Sequence, residues 1–179
     1  MTAVPAQSGA VPDTPSLVRR MAAFVYEGVL LFGVVMIAGY LYSSLTQQHH
    51  ALQGHAGLQA FLFVVLAIYF VWFWSHGGQT VAMRAWHLRL VAGDGRAVGQ
   101  GRALLRYLAS WIWFVPALAM SWMAELHNPT FIFAALAAGV IGYALLALLQ
   151  PERQYWHDAL CGTRLVNWHP TPGRAQSAA

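Results

Sequence analysis

The sequence predicts an all-α membrane protein: four transmembrane helices, both termini cytoplasmic, and a small cytoplasmic cap with a short two-stranded β element. Three observations predict it. Four long apolar runs dominate a chain in which 58% of residues are hydrophobic and 9% charged, against about 25% charged in ordinary soluble domains. All ten basic residues are arginines. Their placement alternates along the chain. Arg19 and Arg20 precede the first run, Arg84, Arg89, Arg96, Arg102 and Arg106 lie between the second and third, and Arg153, Arg164 and Arg174 follow the fourth. The linkers joining runs one to two and three to four carry no basic residue. Short basic loops stay on the cytoplasmic side of a membrane, which places both ends and the central segment there.

Residues 1–16 hold Pro5, Pro12 and Pro15 among small polar residues and read as a disordered tail. The first span covers about residues 21–42. It is too long for the apolar core of a signal peptide, and three more spans follow, so it reads as retained. Glu27 inside it argues against a twin-arginine export signal at Arg19-Arg20. The polar linker 43–57 contains His49, His50 and His55. With no carboxylate or cysteine nearby, it reads as a solvated loop and not a metal site. The second span, residues 58–74, is near the lower length limit for crossing a ~30 Å hydrocarbon core. Its inner end, residues 69–74, is aromatic, as expected at the headgroups.

The central segment 75–106 opens with Gly77-Gly78, which breaks the second span. Residues 81–86 predict a short interfacial helix with Met83 and Trp86 as apolar contacts and Arg84 turned to the headgroups. Leu88-Arg89-Leu90-Val91 alternates like a strand ahead of the turn Gly93-Asp94-Gly95, and Thr163-Arg164-Leu165-Val166 repeats the pattern near the end of the chain. Paired, the two would form a small cap with Leu88 and Leu90 on one face; unpaired, they are extended linkers. The third span, about residues 107–123, carries Pro116 and is expected to kink there. Glu125 and His127 occupy the second outer loop. The fourth span, residues 131–149, contains Ala135/Gly139 and Ala138/Gly142, small pairs that allow close helix approach within the monomer or at a dimer seam. Pro151 marks its exit. Residues 168–179 read as a second disordered tail, leaving residues 17–167 as one domain.

Glu27 is the one Asp, Glu, Lys or Arg within an apolar span. An intramembrane acid is costly and is expected to face the bundle interior and a partner. Arg20, seven residues earlier, returns to nearly the same helix face about 10 Å away and is the expected partner. Asp158, shortly after the fourth span, is expected at the same leaflet as Arg19 and Arg20. The single cysteine, Cys161, excludes an internal disulfide, and no Cys/His cluster has zinc spacing. His157-Asp158 beside Cys161 lacks the geometry of a nucleophile and base, and no phosphate-binding loop or HExxH motif occurs. Neither enzymatic activity nor a cofactor is expected. The net charge of +4 is explained by arginines beside spans and anionic headgroups, not by nucleic acid. Absence of lysine and abundance of alanine point to a GC-rich bacterial genome, hence a bacterial inner membrane.

The ordered set Pro15-Ser16-Leu17-Val18-Arg19-Arg20-Met21-Ala22-Ala23, an acid at position 27, Gly78-Gln79-Thr80 with Met83-Arg84, Leu88-Arg89-Leu90-Val91, Asp94-Gly95, His157-Asp158 and Gly162-Thr163-Arg164-Leu165-Val166 resembles the RDD family of membrane proteins over about residues 15–167. The resemblance implies a charge cluster of one arginine and two acids, falling here on Arg20 (or its neighbour Arg19), Glu27 and Asp158, with Arg84 as a further candidate. Glu27 departs from the family's aspartate by one methylene, which keeps the charge and alters the reach. Some family members are linked to sodium/proton antiport. Two functions are therefore carried forward. The first is a structural or accessory subunit that binds an unidentified membrane partner, or a second copy of itself, in the lipid bilayer. The alternative is an oligomeric cation/proton antiporter with Glu27 as the proton-carrying site.

Overall fold

The computed structural model describes residues 14–46, 55–114, 119, 123, 128–150 and 154–168. Helix α1 spans Leu17–Thr46 and α2 spans His55–Ser75. Four further helices follow: α3 (Val81–Ala85), α4 (Gln100–Ser110), α5 (Pro129–Leu146) and α6 (Trp156–Leu160). Strands β1 (Leu88–Ala92) and β2 (Thr163–Asn167) complete the described elements. Three helical segments, Leu17–Thr46, Ala56–Ser75 and Thr130–Leu149, are long and apolar enough to cross a membrane among the described residues. At 1.5 Å per residue, the 30 residues of α1 reach roughly 45 Å, well past a ~30 Å core. The helices outrun their apolar runs because each added residue keeps an internal backbone hydrogen bond, which polar interfacial residues also favour.

The region expected to hold a third span is only partly described. Helix α4 begins at Gln100, ahead of the apolar run, and passes through a tight turn at Trp111–Trp113. It enters as an amphipathic helix: Ala103, Arg106 and Tyr107 are buried, while Leu104, Leu105 and Leu108 face outward. Apart from Ala119 and Met123, the rest of that span, Pro116 included, lies outside the described residues. So do the two tails at residues 1–13 and 169–179, His49 and His50, Glu125 and His127, Pro151 and Arg153. Helix α5 starts cleanly because the Asn128 Oδ1 accepts the Thr130 N–H at 2.9 Å and Pro129 sits where no N–H is needed. Of the small pairs on α5, Ala138 and Gly142 are exposed; the inward stripe is Val140, Ala144 and Ala147.

The cap forms as the pattern predicts. After α2, Gly78 adopts φ +71°, and a Cβ there would run into the Leu90 carbonyl oxygen. That close approach lets the Gly78 carbonyl accept the Leu90 N–H at 2.7 Å. β1 and β2 pair antiparallel with Leu90 opposite Leu165. Leu88 and Leu90 face the core, each 1% exposed. Arg89 turns to the other face, its guanidinium 4.2 Å above the Trp168 ring. A short helix forms where one was expected, with Met83 buried and Arg84 exposed, but it ends at Ala85, and Trp86, expected as a second apolar contact, is exposed.

Most of the packed core lies at this cap end, where Trp74, Met83, Leu88, Leu90, Tyr107, Tyr155 and Leu165 meet. Further along the spans, Phe32, Ile37, Val64, Ile68, Phe133 and Ile141 are exposed. In hydrocarbon such side chains have no water to escape, so nothing drives them inward.

Candidate functional site

Glu27 projects from α1 into a buried position, 8% exposed. Its two carboxylate oxygens are met by hydroxyls from two other elements. The Tyr69 hydroxyl on α2 donates to Oε1 at 2.6 Å, and the Thr80 hydroxyl donates to Oε2. Thr80 is there because the Gly77-Gly78 turn brings the chain back beneath α1, and Thr80 then caps α3. A hydroxyl has one donor and two acceptor sites; the Thr80 oxygen accepts the Met83 N–H at 3.2 Å while its proton goes to Glu27. One acid thereby joins α1, α2 and α3.

Asp158 occupies the first turn of α6 and is fully buried. The Arg106 Nε of α4 donates to Asp158 Oδ1 at 2.7 Å, and the Arg106 guanidinium lies 4.2 Å over the Trp74 ring. The His157 Nε2 is 3.3 Å from the same oxygen. On its other side, the His157 Nδ1 is 3.0 Å from the Tyr143 hydroxyl of α5. The Tyr143 oxygen also accepts the His157 backbone N–H at 3.1 Å. Burial pushes the His157 imidazole down to about 4; Asp158 pulls it upward and Arg106 adds to the fall. At neutral pH the ring is neutral, and the tautomer satisfying both contacts carries its proton on Nε2 and accepts from Tyr143 at Nδ1. Asp158 Oδ2 is buried without a hydrogen-bond partner among the described residues.

Arg20, 3% exposed, does not make the expected contact with Glu27. Its guanidinium sits 4.6 Å above the Tyr155 ring, and its Nε and Nη1 have no hydrogen-bond partner among the described residues. Burial pushes the Tyr155 phenol up to about 12, opposed by Arg20. Arg19 works elsewhere. Its Nη1 donates to the Asn167 Oδ1 at 2.8 Å and its Nη2 to the Trp86 carbonyl at 2.6 Å, tying α1 to the end of β2 and of α3. Arg84 stays on the exposed face. Arg20, Glu27, Arg106 and His157 line one cavity of about 500 Å³ between the spans and the cap.

The structure therefore brings the three expected charges to one end of the bundle and distributes them differently. Spacing singled out Arg20, Glu27 and Asp158 and missed Arg106, Tyr69, Thr80, Tyr143 and Gln154. Gln154 matters structurally: its amide accepts the Leu165 N–H and donates to the Leu165 carbonyl, both at 3.1 Å, extending the sheet edge with a side chain. A signal for Arg106 was present, since Leu104-Leu105-Arg106-Tyr107-Leu108 sets a lone cation among apolar residues at the mouth of a span. Among the described residues no three His, Cys, Asp or Glu side chains gather at metal-binding spacing.

A family model described as the RDD family matches residues 14–162 of the chain. No curated protein and no solved structure matches it.

Proposed function

The chain belongs to the RDD family of membrane proteins, and from that premise we propose that it acts as a non-catalytic accessory subunit that holds a membrane partner, or a second copy of itself. In this reading both termini and the cap face the cytoplasm of a bacterial inner membrane. The arginine alternation supports the orientation. The observation that carries the role is how the buried acids are used: Glu27 is engaged by Tyr69 and Thr80, and Asp158 by Arg106, each from a different element. Charges so engaged clamp helices together; they are poor ligands for a dehydrated cation. The exposed apolar faces of α1 and α5 then remain for lipid or a partner helix.

Mass measurement of the full chain in lipid nanodiscs, after crosslinking in the native membrane, tests the role. A dimer or a defined co-purifying membrane protein is expected; a monomer that crosslinks to nothing would sink it. The orientation is tested with single cysteines at Asn128 and Asp94 in a Cys161→Ser background. Asn128→Cys should react with an impermeant reagent added outside and Asp94→Cys should not.

One observation favours cation/proton antiport as a second reading. Glu27 lines the cavity, and its two partners are neutral hydroxyls, so it can change charge without breaking an ion pair. Proton-coupled cation flux in vesicles that disappears with Glu27→Gln, in a protein that remains folded, would favour this reading over the clamp.

A further inference from the structure

We infer that the cavity at the cap end is a binding site for an acidic phospholipid, with its phosphodiester on Arg20 and one acyl chain along the apolar wall. Such a site is independent of the partner-binding role and goes beyond it.

Arg20 carries two donor nitrogens that no described residue meets. A guanidinium has five N–H donors and no acceptor. That of Arg20 belongs to a residue only 3% exposed, yet Nε and Nη1 have no hydrogen-bond partner among the described residues. Stacking on Tyr155 addresses the face of the cation and leaves Nε and Nη1 unmet among the described residues. The two nearby acids are already committed, Asp158 to Arg106 and Glu27 to Tyr69 and Thr80. The floor of the cavity therefore holds the Arg106–Asp158 pair, a neutral His157 and Arg20, a buried cation that hydrogen-bonds to neither acid. A monoanion at Arg20 would meet its open donors.

The cavity describes the rest of the ligand. Its volume of about 500 Å³ lies within the roughly 300–1,000 Å³ of small-molecule sites. Beyond the polar floor its wall is apolar, built by Phe24, Leu66, Phe70, Phe114 and Leu136. An anionic head with a hydrocarbon tail matches that division. Glu27, two turns further along α1, repels an anion from the deeper part and so directs the head to the Arg20 end. Arg20 is the fourth residue of α1 and directly precedes the apolar run that starts near Met21, so in this proposal it stands at the level of the phosphodiesters. A phosphodiester oxygen pair suits the planar donors of arginine, and basic pockets between spans are known to take acidic headgroups.

The test reconstitutes the full chain in nanodiscs of mixed phosphatidylglycerol and phosphatidylcholine, then measures lipid retained through delipidating detergent by native mass spectrometry. One phosphatidylglycerol per chain is expected, in preference to phosphatidylcholine. Arg20→Gln should lower retention by at least about tenfold, the loss expected when charge-assisted hydrogen bonds are removed. Because Arg20→Gln risks misfolding, Leu136→Trp provides a second arm: it fills the cavity, leaves Arg20 intact and should lose the lipid as well. Arg96→Gln, on an exposed turn of the cap, should retain the lipid as the unaltered chain does. The proposal is overturned if the unaltered chain retains no lipid, takes both lipids equally, or holds a free fatty acid instead. It is also overturned if Leu136→Trp keeps the lipid or Arg96→Gln loses it.

Discussion

Glu27 and Asp158 are both buried acids at the same end of the bundle, and their surroundings solve the cost of burial in opposite ways. Asp158, in the cap, is neutralised by Arg106 at 2.7 Å and flanked by a neutral His157. Glu27, within a span, receives only hydroxyl donors from Tyr69 and Thr80. The difference separates two physical roles. An ion pair locks two elements together, and losing one member strands a charge in the interior. A carboxyl held by hydroxyls also joins elements, but a neutral side chain of similar shape can replace it with less damage. Asp158 is thus the stronger structural fastener and Glu27 the weaker one.

The largest effect should come from breaking the ion pair. Arg106→Leu leaves Asp158 charged and buried and should cost about 3–5 kcal/mol, read by chemical unfolding in detergent. Adding Asp158→Leu should recover much of that loss, because no charge is then stranded. A double variant as unstable as Arg106→Leu alone would show that Asp158 contributes something other than pairing.

Next comes the pH dependence of the same cluster. The His157 imidazole is held down to about 4 from its ordinary value of 6.5, so the unfolded chain binds a proton at higher pH than the folded one. Stability should be level above 6.5 and fall as pH drops through 6.5 toward about 4. His157→Phe keeps a ring beside Tyr143 and Tyr155 and should flatten that slope. An unchanged slope would place the acid sensitivity elsewhere.

At Glu27 the expected losses are smaller. Glu27→Leu leaves two hydroxyls without their acceptor and should cost about 1–3 kcal/mol. Glu27→Gln, which keeps an acceptor, should lower thermal stability by less, and Glu27→Asp should be mild. If Glu27→Leu costs as much as Arg106→Leu, the contrast between the two acids fails. The smallest change is Tyr69→Phe, which removes one donor and leaves Thr80 in place, at about 1 kcal/mol.

How far the chain could be read in advance varies by feature. The apolar runs at α1, α2 and α5 were legible because hydropathy and length alone decide what can sit in hydrocarbon. The β1–β2 pairing was legible too, since Leu88-Arg89-Leu90 alternates and Arg164-Leu165 repeats the pattern at the other end of the chain, although Val91, expected on the opposite face, is buried as well. The partner of Glu27 was not. Seven residues of separation put Arg20 on nearly the same face of α1, but about 10 Å away along the axis, and the Tyr155 ring lies against its guanidinium instead. The partner of Asp158 was equally hidden among arginines that composition cannot rank. Arg106 meets it because α4 brings that side chain against Trp74 and α6.

Reading along the chain is therefore enough for a membrane-spanning helical protein, the break at Gly77-Gly78 and the two strands of the cap. These follow from properties that act locally: hydrophobicity, backbone conformation and the alternation of side chains. It took the packing of the elements to decide that Glu27 answers to Tyr69 and Thr80, that Asp158 answers to Arg106, and that Arg20 lines a cavity with two nitrogens unmet among the described residues. Those outcomes depend on which helices lean together, and a pairing energy that falls off within a few ångströms is set by that packing and not by spacing in the chain.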